Sequence, residues 1–279
     1  MTRGDDQRER AVRFRELHAA ARPLQLANAW DVTSARVLAA TGVAAIGTTS
    51  FGVALDHGVL DGEHLSFDET LAVAGAITSA VDVPVTVDLE AGRGPTPEAV
   101  AQAVGAVIAH GAVGINIEDA IPGQPGVLRD ADEQATRIAA ARTAATASGI
   151  PIFVNARCDV YFGADVPGEE RIDEVVQRAT AYRAAGADGL FLPGLLDVAT
   201  IRLLAGKVDL PLNIMVGTGA PTLDELAAAG VRRVSQGGEP FLAVAGTLKR
   251  LTERYLAGQL AAPPDTIAAG VSLIAELVA

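Results

Sequence analysis

One pattern recurs eight times along the chain: a short apolar run rich in β-branched residues, a loop, and an alanine-rich stretch with helical spacing. Several apolar runs show no alternation, which is typical of parallel strands buried on both faces. Eight such units within about 250 residues predict an α/β fold, a single (β/α)8 TIM barrel. An open doubly wound sheet is the alternative, and the even number of units disfavours it. The predicted strands are Leu24–Asn28, Ala44–Thr48, Pro84–Asp88, Gly114–Glu118, Pro151–Ala156, Gly189–Pro193, Pro211–Met215 and Val231–Ser235.

The stretches between the strands carry the end signals of helices. Ser66 stands three residues before Glu69, which is the spacing of a capping box, and Pro97 occupies a first-turn position. Many of these stretches end in a glycine that can adopt the left-handed turn closing a helix. The predicted helices are Ser66–Ala80, Thr96–His110, Asp130–Ser148, Glu169–Ala185, Val198–Ala205 and Thr222–Ala229.

Additional helices are predicted at the two ends of the chain. A charged amphipathic stretch at residues 5–21 precedes the first strand, and Glu239–Leu256 follows the last. After a Pro-Pro break, the segment Thr266–Val278 places Ile267, Val271, Ile274 and Leu277 on one apolar helix face. We expect one domain over residues 1–279, with 263–279 forming a C-terminal helical extension. This extension would pack either on its own barrel or on a second subunit.

Composition excludes several classes of partner. Hydrophobic residues make up 49% of the 279 residues, enough for one large core. The formal net charge of −12 argues against nucleic acids and anionic membranes, which need a basic surface. Cys158 is the one cysteine, so no intramolecular disulfide can form, and the charged N-terminus cannot hold a signal-peptide core. No apolar run approaches a membrane span, and we expect a cytoplasmic protein.

Acidic residues gather at the predicted carboxyl ends of the strands, where barrel enzymes build their active sites. Asp88 and Glu90 lie at the end of the third strand, and Glu118 ends the fourth. Carboxylates packed this closely raise one another's pKa unless a cation joins them, and oxygen-only ligands suit Mg²⁺ or Mn²⁺. A single acidic residue here would more often be a helix cap or an ion pair, but the three together favour a divalent metal site.

Two further residues follow the fifth strand. Arg157 alone could form an ordinary ion pair, but beside the acidic residues it could equally hold a substrate carboxylate through its planar guanidinium. Cys158 is lone and more often a packing residue than a catalytic one.

Four segments together resemble the isocitrate lyase/phosphoenolpyruvate mutase superfamily. They are Asn28-Ala29-Trp30-Asp31 with Ser34-Ala35-Arg36, residues 87–94 (VDLEAGRG), 114–119 (GINIED) and 155–159 (NARCD). Their order and spacing match over roughly residues 20–255. The resemblance implies a (β/α)8 barrel, Mg²⁺, small 2-oxo or 2-hydroxy carboxylic acids as substrates, and chemistry through an enolate of the pyruvate type.

The resemblance also implies a metal-binding set. By position, Asp88 would contact the metal most directly, while Asp61, Glu90 and Glu118 would hold it largely through waters. The family usually has Asp-x-Asp where this chain has Asp88-Leu89-Glu90, a longer carboxylate that keeps the charge. Mg²⁺ is the expected ion, with Mn²⁺ as the alternative.

A substrate-binding set follows from the same resemblance. Arg157 would bind the substrate carboxylate, and the turn formed by Thr48, Thr49 and Ser50 would donate hydrogen bonds to the carboxylate or oxo oxygen. The expected substrate-binding residues are Trp30, Thr48, Thr49, Ser50, Arg157 and Asn213, and the expected catalytic residues are Arg157, Glu118 and Asp61.

The loop after the fourth strand departs from the family pattern. Residues 120–129 read AIPGQPGVLR and lack the Lys-[Lys/Arg]-Cys-Gly-His of the isocitrate and methylisocitrate lyases, as well as the lysine and polar pair of the phosphonate enzymes. Pro193 stands where the mutases have a histidine. These absences argue against those named activities and leave the acid/base group open, with Tyr161, His57 and Arg129 as candidates. We expect the loop to act as a mobile lid.

Three functions remain open. Decarboxylation of a 2-oxo diacid needs only the metal and a carboxylate-binding group to break the bond, whereas retro-aldol cleavage also needs a base. We therefore expect a Mg²⁺-dependent carbon–carbon lyase or decarboxylase. The alternatives are P–C bond chemistry and a non-catalytic barrel that binds a metal or ligand. Because family members commonly exchange their last helices between subunits, we also expect a homodimer or homotetramer.

Overall fold

The computed structural model describes residues 3–259 and 261–278 and contains a closed barrel of eight parallel strands. Each strand pairs with the next, and β8 pairs with β1 to close the barrel. The predicted (β/α)8 architecture is confirmed, the open sheet is excluded, and every strand end lies within two residues of its expected place. The strands are β1 Leu24–Ala29, β2 Ile46–Thr48, β3 Val85–Asp88, β4 Gly114–Glu118, β5 Phe153–Arg157, β6 Gly189–Leu192, β7 Leu212–Met215 and β8 Val231–Ser235.

The helices surround this barrel, and their caps follow the sequence signals. Ser66 accepts a hydrogen bond from the Glu69 amide while Glu69 bonds back to Ser66, so the expected capping box is present. None of the described helices is long and apolar enough to cross a membrane. The helices are α1 Arg3–Ala19, α2 Val32–Ala40, α3 Ser50–Asp56, α4 Phe67–Ala80, α5 Pro97–Ala109, α6 Ala131–Ser148, α7 Arg171–Ala184, α8 Val198–Lys207, α9 Leu223–Ala228, α10 Glu239–Leu256 and α11 Pro264–Val278.

The N-terminal helix α1 seals one end of the barrel. Its Phe14 is fully buried and packs with Leu26 and Phe153 in an apolar cluster beneath the strands. Gly114 leaves room for this ring, since a Cβ atom there would lie 2.8 Å from Phe14. With this end closed, access to the interior is from the carboxyl ends of the strands, where the site is expected.

The side chains of α10, and those of α11 up to residue 273, are mostly exposed. No residue of α10 is buried, and its Leu248 is 66% exposed. The helix α11 lies beside α2 of its own barrel, yet Ile267 and Val271 remain exposed. The side chains of Ile274 and Leu277, which were expected on the same apolar face, lie outside the described residues.

Candidate active site

A cavity of about 410 Å³ opens at the carboxyl ends of the strands. It brings together six of the site residues expected from the sequence, which are Thr48, Thr49, Ser50, Asp61, Asp88 and Arg157. A second cavity of about 350 Å³ adjoins it and is lined by Glu118 and again by Arg157. The Arg157 side chain therefore lies between the two cavities, and the predicted residues from β2 to β5 share one mouth of the barrel.

Asp88 ends β3 and faces the main cavity with weakly engaged oxygens. Its Oδ2 accepts a hydrogen bond from the Ser50 amide at 3.5 Å, and its Oδ1 accepts one from the Glu90 amide at 3.4 Å. The Asp88 backbone amide is held more firmly, because it donates to Thr48 Oγ1 at 2.9 Å. Long hydrogen bonds leave carboxylate lone pairs available, so Asp88 is well suited to bind a cation directly.

Asp61 lies at the rim of the same cavity, and part of the residue remains exposed. Partial burial of its carboxyl group raises its pKa, and the charge of Asp88 raises it further, while a hydrogen bond with the Ser50 side chain opposes both effects. A cation between the two carboxyl groups would relieve this effect of Asp88 on Asp61.

Glu90 is bound by the protein rather than open to the cavity. Its Oε1 accepts from the Gly62 amide at 2.9 Å and from the Glu63 amide at 2.6 Å, and its Oε2 pairs with Arg93. Burial raises the pKa of Glu90 to about 7, against the opposing charge of Arg93. Glu90 thus holds the turn that carries Asp61, which gives it an indirect role in the predicted metal site.

Three residues in the loops that follow β2 and β3 adopt left-handed backbone conformations. The φ angles of Glu63, Glu90 and Arg93 are 62°, 50° and 60°, a region that residues other than glycine rarely occupy. The same residues bind one another, because the Arg93 amide also donates to Glu63 Oε1 at 2.8 Å. Such strain persists only where the surroundings fix it, and it concentrates at functional sites.

Arg157 lies at the centre of an ion triplet. Its Nε and Nη2 donate to the two carboxylate oxygens of Asp159 at 2.6 and 2.7 Å, and its Nη1 lies 2.7 Å from Glu118 Oε2. Burial raises the pKa of Glu118 well above its usual value, although the charge of Arg157 opposes this. The guanidinium is therefore oriented by two carboxylates, with N–H groups left over for a substrate.

A buried network that the sequence analysis did not predict supports this triplet. Asp119 is fully buried and accepts hydrogen bonds from the Asp159 amide at 2.9 Å, from Tyr182 Oη at 2.7 Å and from Arg178 Nη1 at 3.1 Å. The sequence did carry a signal for it, because an aspartate closely follows each of two predicted residues. Asp119 comes directly after Glu118, and Asp159 comes two positions after Arg157. Burial raises the pKa of Tyr182, so the phenol stays protonated as a donor.

Two expected substrate-binding residues, Trp30 and Asn213, are not part of the lining of the main cavity. Trp30 stacks edge to face on Phe241 of α10, with ring centroids 5.3 Å apart. Asn213 is 1% exposed and lies inside the barrel, where its Oδ1 accepts from Ser235 Oγ at 3.4 Å. The sequence fixes which strand a residue follows, but the direction of its side chain depends on the pleat and on neighbouring helices.

The three acid/base candidates also lie outside both cavity linings that contain Arg157. Tyr161 faces the guanidinium of Arg171, His57 bonds through Nδ1 to the Val53 carbonyl oxygen, and Arg129 pairs with Glu133 at 2.7 Å. Each is therefore engaged by its own helix or loop rather than by the site.

Cys158 is also removed from the cavities, as expected for a packing residue. It lies fully buried in the main apolar core, and burial raises the pKa of its thiol well above the usual value. A thiol that stays protonated is a poor nucleophile, so its position favours packing over catalysis.

The loop after β4 is a short hairpin held by backbone hydrogen bonds. Ala120 pairs antiparallel with Leu128, and the Ile121 amide donates to the Val127 carbonyl oxygen at 3.3 Å. The Arg129 amide donates to the Asp119 carbonyl oxygen at 2.7 Å, which fixes the base of the hairpin beside the ion triplet. The hairpin lines the second cavity. Its movement as a lid remains a prediction.

The chemistry of these donors can be compared with the needs of Mg²⁺. Within residues 3–259 and 261–278, no three His, Cys, Asp or Glu side chains come close enough to enclose an ion by themselves. Asp88, with Asp61 nearby and Glu90 and Glu118 behind, instead offers one or two direct carboxylates in a strongly acidic environment. Mg²⁺ commonly keeps several waters and takes one or two protein carboxylates, so these residues fit a hydrated ion.

Known proteins share this architecture. Residues 14–256 match the family model described as phosphoenolpyruvate phosphomutase. A crystal structure from Burkholderia cenocepacia J2315, of a protein provisionally assigned as a phosphonomutase, superposes with a TM-score of 0.85. The two sequences are 46% identical, and the match covers 89% of this chain and 99% of that one.

Two relatives with named activities match most of the chain. The 2-methylisocitrate lyase of Escherichia coli K12 is 31% identical over 231 residues, which are 78% of this chain and 75% of that protein. The oxaloacetate decarboxylase of Ectopseudomonas mendocina (strain ymp) is 30% identical over 242 residues, covering 82% of this chain and 79% of the relative. The chain therefore belongs to the phosphoenolpyruvate phosphomutase family, within the isocitrate lyase/phosphoenolpyruvate mutase superfamily.

Proposed function

We propose that this member of the superfamily is a Mg²⁺-dependent enzyme that breaks a C–C bond of a small 2-oxo or 2-hydroxy carboxylic acid, as a lyase or decarboxylase. The observation that carries the proposal is that Asp88, Asp61 and Arg157 line one cavity. The two carboxylates can bind a cation, and the guanidinium can bind a carboxylate of the substrate. Both kinds of group are needed to bind such an acid together with a metal ion. The similarity to 2-methylisocitrate lyase and oxaloacetate decarboxylase supports the same reaction class.

Arg157 would bind and orient the substrate carboxylate. Asp159 and Glu118 hold its guanidinium in place, and their negative charges keep its pKa raised, so it is a fixed cation at any working pH. A charge that is oriented before the substrate arrives costs little reorganisation during the reaction. Glu118 and Asp159 would thus act on catalysis through the position of Arg157.

The acidic residues at the end of β3 would hold the reacting end of the acid. Asp88, with support from Asp61, Glu90 and Glu118, would bind the cation, and Thr48 at the end of the neighbouring strand β2 holds the Asp88 backbone amide. When bound, Mg²⁺ would supply a Lewis acid toward the oxygen that becomes negative as the C–C bond breaks. The Ser50 amide, which now donates weakly to Asp88 at 3.5 Å, is available as a donor to the same end of the substrate.

The acid/base candidates bear on which bond-breaking reaction is favoured. Tyr161, His57 and Arg129 lie outside the cavities, so a base for retro-aldol cleavage is not supplied by these side chains. Decarboxylation of a 2-oxo diacid needs no base to break the bond. Decarboxylation is therefore the reaction we favour within the proposed class.

P–C bond chemistry is the second candidate, because the Burkholderia protein assigned as a phosphonomutase is 46% identical. A phosphoryl group needs several donors, however, and the hairpin beside Arg157 carries no lysine, histidine or asparagine among residues 120–129. A barrel that only binds a metal or ligand is the remaining alternative.

One set of assays separates these functions. The purified protein is incubated with oxaloacetate, 2-methylisocitrate or phosphonopyruvate, each with Mg²⁺ and with EDTA, and pyruvate, succinate, phosphate and phosphoenolpyruvate are measured. We expect Mg²⁺-dependent turnover of a carbon acid, with oxaloacetate first. Turnover of phosphonopyruvate alone would favour the P–C alternative. Metal-dependent binding of these acids without any product would favour the non-catalytic barrel.

A further inference from the structure

Arg233 is a buried cation at the floor of the main cavity. It lies in β8, where it pairs with Asn213 of β7 and Leu24 of β1. Its side chain is 1% exposed, yet it contributes to the cavity lining together with Asn116 and Ser235. Asn116 pairs with Asp88 in the sheet, so the guanidinium lies below the acidic residues of the proposed metal site.

The guanidinium of Arg233 has almost no partners. Its Nη2 donates to Asn116 Oδ1 at 3.3 Å, and its Nε and Nη1 have none. In the described part of the chain no carboxylate forms an ion pair with it, whereas Arg157 and Arg178 each pair with two. Desolvation lowers the pKa of Arg233 to about 9, partly offset by the charge of Asp88, so the side chain is still a cation at neutral pH.

A neighbouring donor is also free. Asn213 Nδ2 is buried without a hydrogen-bond partner, and Asn213 stands beside Arg233 on the adjacent strand. Unpaired buried donors, one of them charged, cost free energy unless something binds them. Because they are donors next to an open cavity, the group that they fit is an anion with oxygen acceptors.

We infer that Arg233 binds a second carboxylate of the substrate, which makes the substrate a dicarboxylic 2-oxo or 2-hydroxy acid. This inference rests on the proposed function, because it assumes that the other end of the acid lies at Asp88 and Arg157. A monocarboxylic acid of the same length would leave Arg233 unpaired. Arg233 is therefore a specificity residue, and it selects diacids over monoacids.

The test compares two stable acids that differ at one end. Malate and 2-hydroxybutyrate have the same four-carbon length and the same 2-hydroxy acid group, but only malate has the second carboxylate. Their binding is measured by calorimetry with Mg²⁺ for the wild type, Arg233→Met, Arg233→Lys and Asp88→Ala. Arg232→Gln is the matched control, since Arg232 is the neighbouring arginine of the same strand and does not line the cavity.

We expect the wild type to bind malate more tightly than 2-hydroxybutyrate. Arg233→Met should weaken malate binding about ten- to a hundredfold, the usual effect of a lost charge-assisted hydrogen bond, and leave 2-hydroxybutyrate binding unchanged. Arg233→Lys should lie between the two, because it keeps the charge but not the planar geometry. The Arg232→Gln control should bind both acids like the wild type.

Stability gives an independent readout. An unpaired buried charge opposes folding, so Arg233→Met without ligand should have a Tm equal to or above that of the wild type. If Arg233 were a framework residue, the Met and Lys variants would both unfold earlier or fail to fold, and the inference would be wrong. Both variants would then lose stability, and neither would weaken malate binding more than 2-hydroxybutyrate binding.

The remaining outcomes separate this inference from the proposed function. If both acids bind through Asp88 but Arg233→Met weakens them equally or not at all, the inference fails and the proposed function stands. If neither acid binds the wild type with Mg²⁺, both are overturned. Phosphonopyruvate is measured on the same variants. A larger loss for it than for malate would identify a phosphonate as the bound anion and overturn the assignment to a carboxylate.

Discussion

The backbone amide of Asp159 donates a hydrogen bond to Oδ1 of the buried Asp119 at 2.9 Å. This bond joins the ends of β4 and β5 directly beneath the ion triplet. Because the Asp159 side chain holds Nε and Nη2 of Arg157, the position of the proposed carboxylate-binding group depends on Asp119. Helix α7 reaches the same point, since Tyr182 and Arg178 both bond to Asp119 Oδ2. The outer helix layer is thereby connected to the cavity.

Substitutions in this network should affect stability and substrate binding together. Asp119→Asn removes the charge that faces Arg178, and we expect the free energy of unfolding to fall by about 3 kcal/mol. Tyr182→Phe removes one buried hydrogen bond and should cost about 1 kcal/mol. Urea denaturation measures both effects. Tyr255→Phe, at a 59% exposed position of α10, is the control and should change stability by less than about 0.5 kcal/mol.

The same variants test whether the network positions Arg157. If it does, Asp119→Asn should raise KM for the substrate more than it lowers kcat, because the binding group is displaced while the residues at Asp88 are not touched. A variant that is destabilised but has an unchanged KM would limit Asp119 to a structural role.

Asp88 is the residue on which the proposed metal site most depends. We expect Asp88→Ala to lower Mg²⁺ affinity and activity more than about a hundredfold, beyond the usual effect of a group outside the direct ligands. The barrel should stay folded, because the Asp88 side chain makes only two long hydrogen bonds. Calorimetry with Mg²⁺ and circular dichroism measure the two properties.

The matched control for this variant is Asp82→Ala. Asp82 is an exposed acid just before β3, at the opposite end of the same strand. It should bind Mg²⁺ and turn over substrate like the wild type. Unchanged Mg²⁺ affinity in Asp88→Ala would show that the metal site has been assigned to the wrong residue.

The barrel could be predicted because its signals are local and repeated. Strands such as Gly114–Glu118 and caps such as Ser66 are determined by residues close in sequence, and the structure places both as expected. Helices α2 and α3 were missed, because α2 has only nine residues and only seven lie between the Thr49 cap of α3 and the following turn. A helix this short leaves little periodicity in the sequence.

The sequence predicted which residues form the site, but not the hydrogen bonds that hold them in place. Asp61, Asp88 and Arg157 meet in one cavity because the carboxyl ends of neighbouring strands lie on the same side of a barrel. The engagement of Glu90 by the amides of Gly62 and Glu63 depends on a loop conformation that the sequence does not reveal. The unpaired Arg233 could not be recognised either, because it depends on what the opposite strands place beside it.

The buried His18 should make stability depend on pH. Burial lowers its pKa from 6.5 to about 3, with the charge of Arg233 acting in the same direction, so the folded protein keeps the ring neutral. The unfolded chain takes up a proton below pH 6.5, which favours unfolding as the pH falls from 6.5 toward 3. At pH 5 this effect amounts to about 2 kcal/mol, at 1.36 kcal/mol for each pH unit.

Replacing His18 by phenylalanine should remove this pH effect. The ring stacks on Phe153 with centroids 3.8 Å apart, and a phenyl ring can keep that contact. Denaturation at pH 7.5 and pH 5 should show the variant gaining about 2 kcal/mol relative to the wild type at the lower pH. His110→Phe is the control, because the Nδ1 atoms of His18 and His110 each bond to the carbonyl oxygen four residues earlier, but His110 is exposed. Parallel pH profiles for wild type and His18→Phe would contradict the expectation.

The hairpin at residues 120–129 should respond to ligand. Its tip is bonded mainly to itself, and one further bond links the Asp165 amide to the Gly126 carbonyl oxygen at 3.0 Å. We expect amide hydrogen exchange in this segment to slow at least several-fold when oxalate and Mg²⁺ are added, because a lid orders over bound ligand. Exchange in α6 serves as the internal control. Equal exchange in the free and bound protein would argue against a lid.

The apolar surface of the C-terminal helices leads to an expectation about assembly. In α10, Val244, Leu248 and Tyr255 recur four and seven residues apart, so they share one face, and each is more than half exposed. In α11, Ile267 and Val271 are 54% and 65% exposed although the helix lies beside α2. A single buried side chain of this size is worth about 1.5–3 kcal/mol, so covering several would stabilise a contact strongly.

We therefore expect a homodimer or homotetramer in which a second copy covers these helices. Light scattering at micromolar concentration should give at least twice the mass of 28.5 kDa for one chain. Deleting residues 265–279 should weaken the assembly, and so should Leu248→Glu, which places a charge on the exposed face of α10 without shortening the chain. Glu253→Gln, on the same helix but with a polar side chain already exposed, is the control. A monomer for the intact chain would mean that the apolar face of α10 stays open to solvent, and the expected assembly would be wrong.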